Sequence, residues 1–275
     1  MRDVLRRLAA GEISEDDALA EIRRIQLDEL DGRARLDLGR YLRRGIPEVV
    51  LAIGKSADDA ARLTVRMAEQ HGQGLISRMN DAHRAALGDA AGAMRIVDYH
   101  SSARVLRKGF EPEPIDGRVA ILTAGTSDVP VADEARMVVE ACGLEARIEA
   151  DLGVAGLHRF VGPLTALLEW GADVIIVAAG MDGVLPGLVA GLVDVPVIGL
   201  PVSTGYGRGG AGEGALTTML QSCSTGLTVV NIDNGVGAGA AAVLIAGQGR
   251  RRGRMTANTA NTSALTTSRP KTTAA

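Results

Sequence analysis

Aromatic side chains and excess positive charge are both scarce in this sequence. Phe, Trp and Tyr make up 2% of the 275 residues, too few to build the stacking surface that binds single-stranded nucleic acid. The formal net charge is −3, so no global positive field attracts nucleic acid or anionic lipid. The composition therefore argues against a nucleic-acid-binding protein and against one that docks on anionic membranes.

Long apolar runs and cysteines are also in short supply. No apolar run reaches the roughly 18 to 20 residues that cross a bilayer, and the first residues indicate a polar helix rather than a signal core. We therefore expect a cytoplasmic protein. The two cysteines, Cys142 and Cys223, are predicted to be free thiols in a reducing compartment. Neither they nor the four histidines show metal-ligand spacing, so no metal site is predicted.

Small and aliphatic residues are what the chain has in abundance. Hydrophobic residues make up 46% of the sequence, charged residues 23%, and there are 35 glycines. This balance is typical of a folded globular protein. A core of Ala, Val, Leu and Ile favours closely packed α/β layers.

The first part of the chain, residues 1–107, is predicted to form a smaller α+β domain. Helical spacing extends to about residue 30, with Ser14 as an N-cap ahead of three acidic residues. A further helix is expected over about 57–70. Strands are expected over 48–53, 74–79 and 94–101. Residues 108–117 contain two prolines and two glycines and are predicted to be a linker.

The second part, residues 118–247, alternates short apolar runs with helical patterns. Runs apolar at nearly every position indicate strands covered on both faces. Short β-rich runs begin near Arg118, Glu145, Ala172, Val195 and Leu227, and several of them are apolar in this way. Five such units predict a doubly wound parallel sheet flanked by helices, the catalytic domain of an α/β protein. The last residues, 248–275, are predicted to be a disordered tail, whose basic cluster at 250–254 is either solvated or an anion contact.

Ligands of such sheets bind beyond the carboxyl ends of the strands, so the loops there are the candidate site. The first loop holds Gly125, Thr126, Ser127 and Asp128. Its backbone N–H groups and two hydroxyls are suited to a phosphate. An ordinary helix cap made by Ser127 or Asp128 explains the same residues equally well.

The second loop holds Gly180, Met181 and Asp182 after the most apolar strand. The glycine lets a backbone approach a ligand closely, and the carboxylate can act as a general base, especially if partial burial raises its pKa. The alternative is that Asp182 caps a helix.

Two further loops carry polar groups at the same predicted edge. The third includes Ser203, Thr204, Tyr206 and Gly207, and its five glycines over 205–212 predict either a substrate-covering loop or a merely flexible connection. The last loop follows the fifth strand. Its polar residues are Asn231, Asp233 and Asn234.

Two more residues are candidates with open alternatives. Cys223 can be an attacking thiolate, but a helix C-terminus disfavours the anion, and a small buried Cys is the competing interpretation. Lys55 follows the first strand of the amino-terminal part. It either offers a cation to a ligand or is an ordinary solvated lysine.

Taken together, the loops resemble known families over roughly residues 34–247. The motifs Gly180–Leu192, Val197–Ser203 and Asn231–Gly235 resemble the carboxyaminoimidazole ribonucleotide mutase superfamily of purine biosynthesis. The sequence is more similar to the LarB family, pyridinium-3,5-biscarboxylic acid mononucleotide synthases of nickel-pincer cofactor assembly. That similarity is carried by Arg40–Val50 with Gly54 and Lys55, by Gly125–Ala132, and by Ser203–Gly207 with Ser222 and Cys223.

One departure separates the two relatives. The purine pattern places a catalytic His just before Leu-Pro-Gly, and here that position is Val184, which cannot transfer a proton. The resemblance to LarB implies instead that Cys223 is the nucleophile. It also aligns Asp182 with a family Glu, and we expect Asp182 to be the base although it is one methylene shorter.

The resemblance implies carboxylation of the pyridinium ring of nicotinic acid adenine dinucleotide by carbon dioxide or bicarbonate, with cleavage of its phosphoanhydride. It further implies that the first-loop residues and the hydroxyls of Ser203, Thr204 and Tyr206 hold phosphate, ribose or ring carboxylate, and that Lys55 serves the adenylate side. No tightly bound cofactor is expected, Mg²⁺ is possible at the anhydride, and a homo-oligomer is expected. The alternatives are an aminoimidazole ribonucleotide carboxylase or mutase and a non-catalytic dinucleotide-binding module.

Overall fold

Two principal β-sheets organise the part of the chain that the computed structural model describes, which is residues 2–24, 28–30, 34–36 and 45–247. The amino-terminal helices are α1 (Arg2–Ala9) and α2 (Glu15–Arg24), and Ser14 caps α2 by accepting a hydrogen bond from the Asp17 N–H at 3.1 Å, as predicted. The prediction of helix to about residue 30 is wrong at its end. Residues 28–30 pair with 34–36 as the antiparallel strands β1 (Asp28–Leu30) and β2 (Ala34–Leu36).

A mixed four-stranded sheet forms the next unit. Its strands are β3 (Val49–Leu51), β4 (Gln73–Ser77), β5 (Arg95–Tyr99) and β6 (Ser102–Leu106), in the order β3-β4-β6-β5. Only the β3–β4 pair is parallel. Helices α3 (Ala57–His71) and α4 (Asp81–Ala91) cover one face.

The hairpin β5–β6 differs from the single strand predicted over 94–101. Its turn places His100 at φ +50°, a left-handed conformation that no Gly or Asn-Gly pair in the sequence signals. Tertiary contacts hold it: the His100 ring bonds to the Asp133 carboxylate, and the Arg84 guanidinium donates to the His100 carbonyl. The hairpin was missed because these partners are remote in sequence.

The second sheet contains five parallel strands, as predicted. They are β7 (Arg118–Thr123), β8 (Glu145–Glu149), β9 (Val174–Ala179), β10 (Val197–Pro201) and β11 (Leu227–Val229), in the order β11-β10-β9-β7-β8. The strand order therefore reverses between β7 and β9. In an open parallel sheet such a reversal opens a crevice at the carboxyl ends of the two strands.

Helices cover both faces of this sheet and bury alternate strand residues. They are α5 (Val129–Ala141), α6 (His158–Glu169), α7 (Leu185–Ala190), α8 (Glu213–Leu220) and α9 (Gly235–Ala246). Val119 and Ile121 of β7 pack on the side of α5 and α9, whereas Ala120 and Leu122 pack on the opposite core. Helices on both faces explain why the inner strands β7, β9 and β10 are apolar at nearly every position, whereas the edge strand β8 carries exposed charged residues.

Helix α5 lies between the two sheets. From the amino-terminal sheet, Leu75 and Tyr99 join the core that α5 forms with the parallel sheet. The Gln73 amide donates to the Ala141 carbonyl at 2.8 Å, and the Tyr99 hydroxyl donates to the Glu140 carboxylate. Apolar packing and satisfied polar groups thus join the two units through one helix.

The segment 108–117, predicted from the sequence to be a linker, contains no helix or strand and is held against the fold. The Ile115 N–H donates to the Gly143 carbonyl at 2.7 Å, and a Cβ at Gly143 would lie 2.1 Å from the Glu113 carbonyl oxygen. Within the described ranges no helix is both long and apolar enough to cross a membrane. The predicted tail 248–275 and residues 40–44 lie outside the described residues.

Replacing Tyr99 by Phe tests the polar contact beside α5. Tyr99 is 2% exposed, and its hydroxyl also accepts from Arg104 Nη1 at 3.3 Å. Burial and the neighbouring Glu140 raise the pKa of Tyr99 to about 12, so the phenol stays a neutral donor. We expect Tyr99→Phe to lower the free energy of unfolding by about 1–3 kcal/mol in urea denaturation.

The matched control is Tyr206→Phe, because Tyr206 is 82% exposed. It should unfold at the parent's urea concentration. Equal midpoints for Tyr99→Phe and the parent would show that the buried hydroxyl contributes nothing to joining the two units.

Candidate active site

A cleft of about 270 Å³ lies at the carboxyl ends of β7 and β9, where the strand order reverses. The predicted first and second loops meet there. Its walls comprise Ala124, Gly125, Ser127, Asp128, Gly153–Ala155, Ala179–Asp182, Leu185 and Thr204. The structure therefore brings together four loops, those that follow β7, β8, β9 and β10.

Asp128 holds these loops to one another. Its side chain is 3% exposed; one carboxylate oxygen accepts from the Gly125 N–H at 2.8 Å, and the other accepts from the Thr204 hydroxyl at 2.6 Å. Burial raises the pKa of Asp128, and the bonds from Thr204, Gly125 and the Gly180 backbone act in the opposite direction. The Asp128 side chain makes no cap hydrogen bond to the helix that follows it. Its carboxylate instead accepts from the Gly125 N–H, a backbone group that would otherwise be available to a phosphate.

The turn after β9 is shaped by a close approach to the third loop. A Cβ at Gly180 would lie 2.0 Å from the Thr204 carbonyl oxygen, which accepts a hydrogen bond from the Met181 N–H at 3.2 Å. Asp182 is exposed at the rim of the cleft, so the partial burial suggested from the sequence is absent. One of its oxygens accepts from the Val184 N–H at 3.3 Å, which is a local capping bond that leaves the other oxygen facing outward.

The third loop contributes unevenly to the cleft. Thr204 is part of its wall, whereas Tyr206 is 82% exposed and neither Tyr206 nor Gly207 lines it. Ser203 is exposed, and its N–H donates to the Asp233 carboxylate at 2.8 Å.

The polar side chains of the last loop accept hydrogen bonds from backbone N–H groups. Asp233 sits at φ +56° and supports Ser203, as described above. Asn234 caps α9 by accepting from the Gly237 N–H at 2.8 Å, and Asn231 accepts from the Ile232 N–H at 2.9 Å. In this structure the loop therefore supports its neighbours rather than lining the cleft.

Cys223 opens into a second cleft, of about 570 Å³, on the other side of the turn that carries Asp182. Its walls include Gly183, Val184, Gly187, Leu188, Thr217, Thr218 and Gln221–Ser224. The Ser224 hydroxyl donates to the Gly187 carbonyl at 2.7 Å and fixes the Cys223 turn against α7. The small buried Cys considered from the sequence is excluded, because Cys223 is an exposed free thiol.

Lys55 lies away from both clefts, whereas two groups of residues that the sequence did not mark contact the site: Gly153–Ala155 line the first cleft, and Arg78 contacts the last loop. Lys55 is exposed, its ammonium donates to the Leu51 carbonyl at 2.8 Å, and it lines neither cleft. Sequence reasoning overlooked Gly153–Ala155, although the rule that loops follow strands would have found them after β8. It also overlooked Arg78, whose guanidinium reaches the Asp233 carbonyl from the other sheet and which no sequence signal marks.

Comparison with protein families matches both parts of the chain. The LarB/PurE-like N-terminal domain family matches residues 27–109, and the AIR carboxylase family matches residues 118–264. The order of the two matches follows the order of the two sheets.

Individual relatives show how far the similarity extends. An uncharacterized protein of Methanocaldococcus jannaschii is 42% identical over 253 residues, which is 90% of this chain and 96% of that protein. The N5-carboxyaminoimidazole ribonucleotide mutase of Thermotoga maritima is 35% identical over 91 residues, 32% of this chain and 51% of the mutase. The corresponding mutase of Pyrococcus horikoshii is 33% identical over 131 residues, 47% of this chain and 72% of the mutase.

The two thiols are expected to react very differently. Burial raises the pKa of Cys142 to about 12, and its thiol contacts the Gly45 carbonyl, whereas Cys223 is exposed. At pH 8 the thiolate fraction of Cys142 is therefore about one in ten thousand. We expect a chromogenic disulfide reagent to titrate one thiol rapidly in the folded protein and the second only after unfolding.

The variants Cys223→Ser and Cys142→Ser assign the two phases. Cys223→Ser should lose the rapid phase, and Cys142→Ser should keep it. Two thiols of equal rate in the folded parent would contradict the burial described here.

Proposed function

Because this chain belongs to the LarB family, with the LarB-type amino-terminal domain ahead of an AIR carboxylase-like domain, we propose that it carboxylates the pyridinium ring of nicotinic acid adenine dinucleotide and hydrolyses the phosphoanhydride. AMP and the pyridinium-3,5-biscarboxylic acid mononucleotide are the products. The family matches support, at the coarser level, an enzyme that acts on a nucleotide-like substrate. We propose in addition that the substrate is the dinucleotide, that carbon dioxide is the carboxyl donor, and that the product serves nickel-pincer cofactor assembly.

One observation carries the proposal beyond the family. Val184 and Cys223 line the same cleft, so the position at which the purine pattern carries its catalytic His lies beside the free thiol. Valine cannot move a proton, but a thiolate can add to an electron-poor carbon. A cleft that lacks the purine enzyme's acid/base group and contains a nucleophile fits pyridinium chemistry better than purine chemistry.

The thiolate supplies the electrons that the ring lacks. A pyridinium carbon cannot attack carbon dioxide, because the ring is cationic. Addition of the Cys223 sulfur to a ring carbon forms a C–S bond and moves an electron pair to the ring nitrogen, giving a neutral dihydropyridine. Its enamine carbon then forms the new C–C bond to carbon dioxide. A base takes the proton from that carbon, and departure of the thiolate restores the aromatic pyridinium.

Asp182 is the proposed base. It is an exposed carboxylate on the turn that separates the two clefts, with one oxygen engaged by the Val184 N–H. Because Asp is one methylene shorter than the family Glu, we expect a bridging water between it and the ring proton. The homo-oligomer expected from the resemblance is part of the same proposal.

The cleft next to Asp128 is proposed to take the phosphate and ribose. The exposed side chains of Thr126 and Ser127 stand at its first loop. Gly125 and Asp128 also line this cleft, and the Asp128 carboxylate there accepts from the Gly125 N–H and the Thr204 hydroxyl. Lys55 is proposed to meet the adenylate, and Mg²⁺ would neutralise charge at the anhydride.

Incubation with the dinucleotide and ¹³C-bicarbonate tests the reaction. We expect mass spectrometry to show AMP and a labelled pyridinium dicarboxylate mononucleotide from the parent and from Cys142→Ser. Cys223→Ser should lose at least about a thousandfold in rate, because no other group supplies the electron pair. A Cys223→Ser variant as fast as the parent would refute the thiolate mechanism.

The same assay separates the alternatives. Turnover of an aminoimidazole ribonucleotide in place of the dinucleotide would indicate a purine-type carboxylase. Tight dinucleotide binding without label incorporation by the folded parent would indicate a non-catalytic module.

Replacement of Asp182 tests the base. Asp182→Asn keeps the bond from the Val184 N–H but cannot accept a proton, so we expect the rate of label incorporation to fall about a hundredfold or more. Asp182→Glu restores the family's side chain and should retain activity. If Asp182→Asn matched the parent over the pH range while its thiol reactivity was unchanged, the base would have to be another group.

A further inference from the structure

Arg78 is the residue through which the amino-terminal sheet contacts the last loop of the parallel sheet. It directly follows β4, and its guanidinium donates a hydrogen bond to the Asp233 carbonyl. Asp233 lies 155 residues later in the chain. The carboxylase chemistry proposed above gives this contact no role.

The backbone at Arg78 is set in an uncommon conformation. Its φ is +57°, in the left-handed region that side chains with a Cβ disfavour. Asp233 at the other end of the contact has φ +56°. Two left-handed non-glycine residues facing each other indicate that the surrounding structure holds this contact in place.

Glu134 of α5 anchors the guanidinium. Its side chain is 5% exposed, and its Oε1 lies 3.7 Å from Arg78 Nε. Its Oε2 accepts from the Val236 N–H at 3.1 Å, and Gly235 and Ser77 also donate to it. Burial raises the pKa of Glu134 and Arg78 opposes that shift. The buried carboxylate is thus satisfied from both sheets, as a buried charge must be.

From Asp233 the contacts continue to the first cleft. The Asp233 carboxylate accepts from the Ser203 N–H at 2.8 Å. The next residue, Thr204, donates its hydroxyl to Asp128 at 2.6 Å and accepts from the Met181 N–H at 3.2 Å. The segment Ser203–Thr204 therefore sits between Arg78's partner and the turn that carries Asp182.

We propose that Arg78 is a positioning residue: through Asp233 it fixes Ser203–Thr204, and through these it sets where the Asp182 turn lies. Its catalytic consequence rests on the proposed function, whereas its structural consequence does not. The residues that line both clefts all belong to the unit that contains the parallel sheet. Through Arg78, the LarB-type domain would then help to position the loops of these clefts. Shifts near 1 Å in a catalytic group can cost about a hundredfold in rate.

Hydrogen exchange of the ligand-free protein tests the structural step. In Arg78→Gln we expect the Ser203 and Met181 amides to exchange about tenfold faster, while amides of the core strands β4 and β9 keep the parent's rates. The matched control is Arg95→Gln. Arg95 lies on the same sheet as Arg78's strand, and the substitution removes an exposed ion pair with Glu111. It should leave the exchange rates of both amides unchanged. Unchanged exchange at Ser203 and Met181 in Arg78→Gln would overturn the proposal.

Arg78→Lys provides the second variant. It keeps a charge beside Glu134 but has a single ammonium in place of the guanidinium fork. If Arg78→Gln unfolds, Arg78→Lys should still show faster exchange at the same two amides, by a smaller factor. Parent-like exchange in that variant, with Arg78→Gln unfolded, would mean that Arg78 acts on global stability alone and would also overturn the proposal.

Kinetics then test the catalytic step. In Arg78→Gln we expect kcat to fall about tenfold to a hundredfold with KM for the dinucleotide changed less than threefold, since a positioning residue does not touch the substrate. A large rise in KM with kcat unchanged would make Arg78 a substrate ligand and overturn the proposal. The two proposals can also fail separately. If the parent shows no carboxylase activity while Arg78→Gln still exchanges these amides faster than the parent, the positioning role is supported and the proposed function is refuted.

Discussion

Burial of one helix between two sheets is the constraint on which this molecule depends. Helix α5 packs one side on the parallel sheet and the other on the amino-terminal sheet, so two of its carboxylates are shielded from bulk water. Asp133 and Glu134 are each less than 5% exposed. A buried carboxylate costs several kcal/mol unless it is paired and hydrogen-bonded. His100 and Arg78 of the amino-terminal unit provide those partners.

The site follows from the same arrangement. Helix α5 begins directly after the Asp128 turn, so the helix that joins the sheets also places the carboxylate that ties the cleft loops together. Asp128 is consequently a part of the framework, whereas Asp182 and Cys223 are exposed. Asp182 lines the first cleft, and Gly183 and Val184, which follow it directly, line the second cleft together with Cys223. The proposed chemistry therefore requires a substrate that spans both clefts across this turn.

The sequence predicted the parallel sheet well, because its three inner strands β7, β9 and β10 are buried on both faces and are almost continuously apolar. Val174–Ala179 is the clearest case, since all six residues are buried. Prediction was weaker in the amino-terminal sheet, where β6 was missed. Its turn uses His100 in a left-handed conformation that is stable because Asp133 bonds to the ring. No local rule contains that partner.

The candidate site shows the same difference. Loop positions after strands, and the residue types that can cap or bind phosphate, are properties of local sequence, and these marked Asp128 and Asp182 as candidates. The roles of Cys223 as nucleophile and of Asp182 as base came from the resemblance to the family. Tertiary structure decides which loops meet. It therefore decides whether a polar side chain is hydrogen-bonded to backbone or is free to bind a ligand. Asp128, Asn234 and Asp233 turned out to serve the framework because partners distant in sequence, or the turn of a helix, lie within 3 Å of them. The contact between Arg78 and Asp233 depends on tertiary structure alone. The packing of the two units, and not the order of residues along the chain, sets the distance between them.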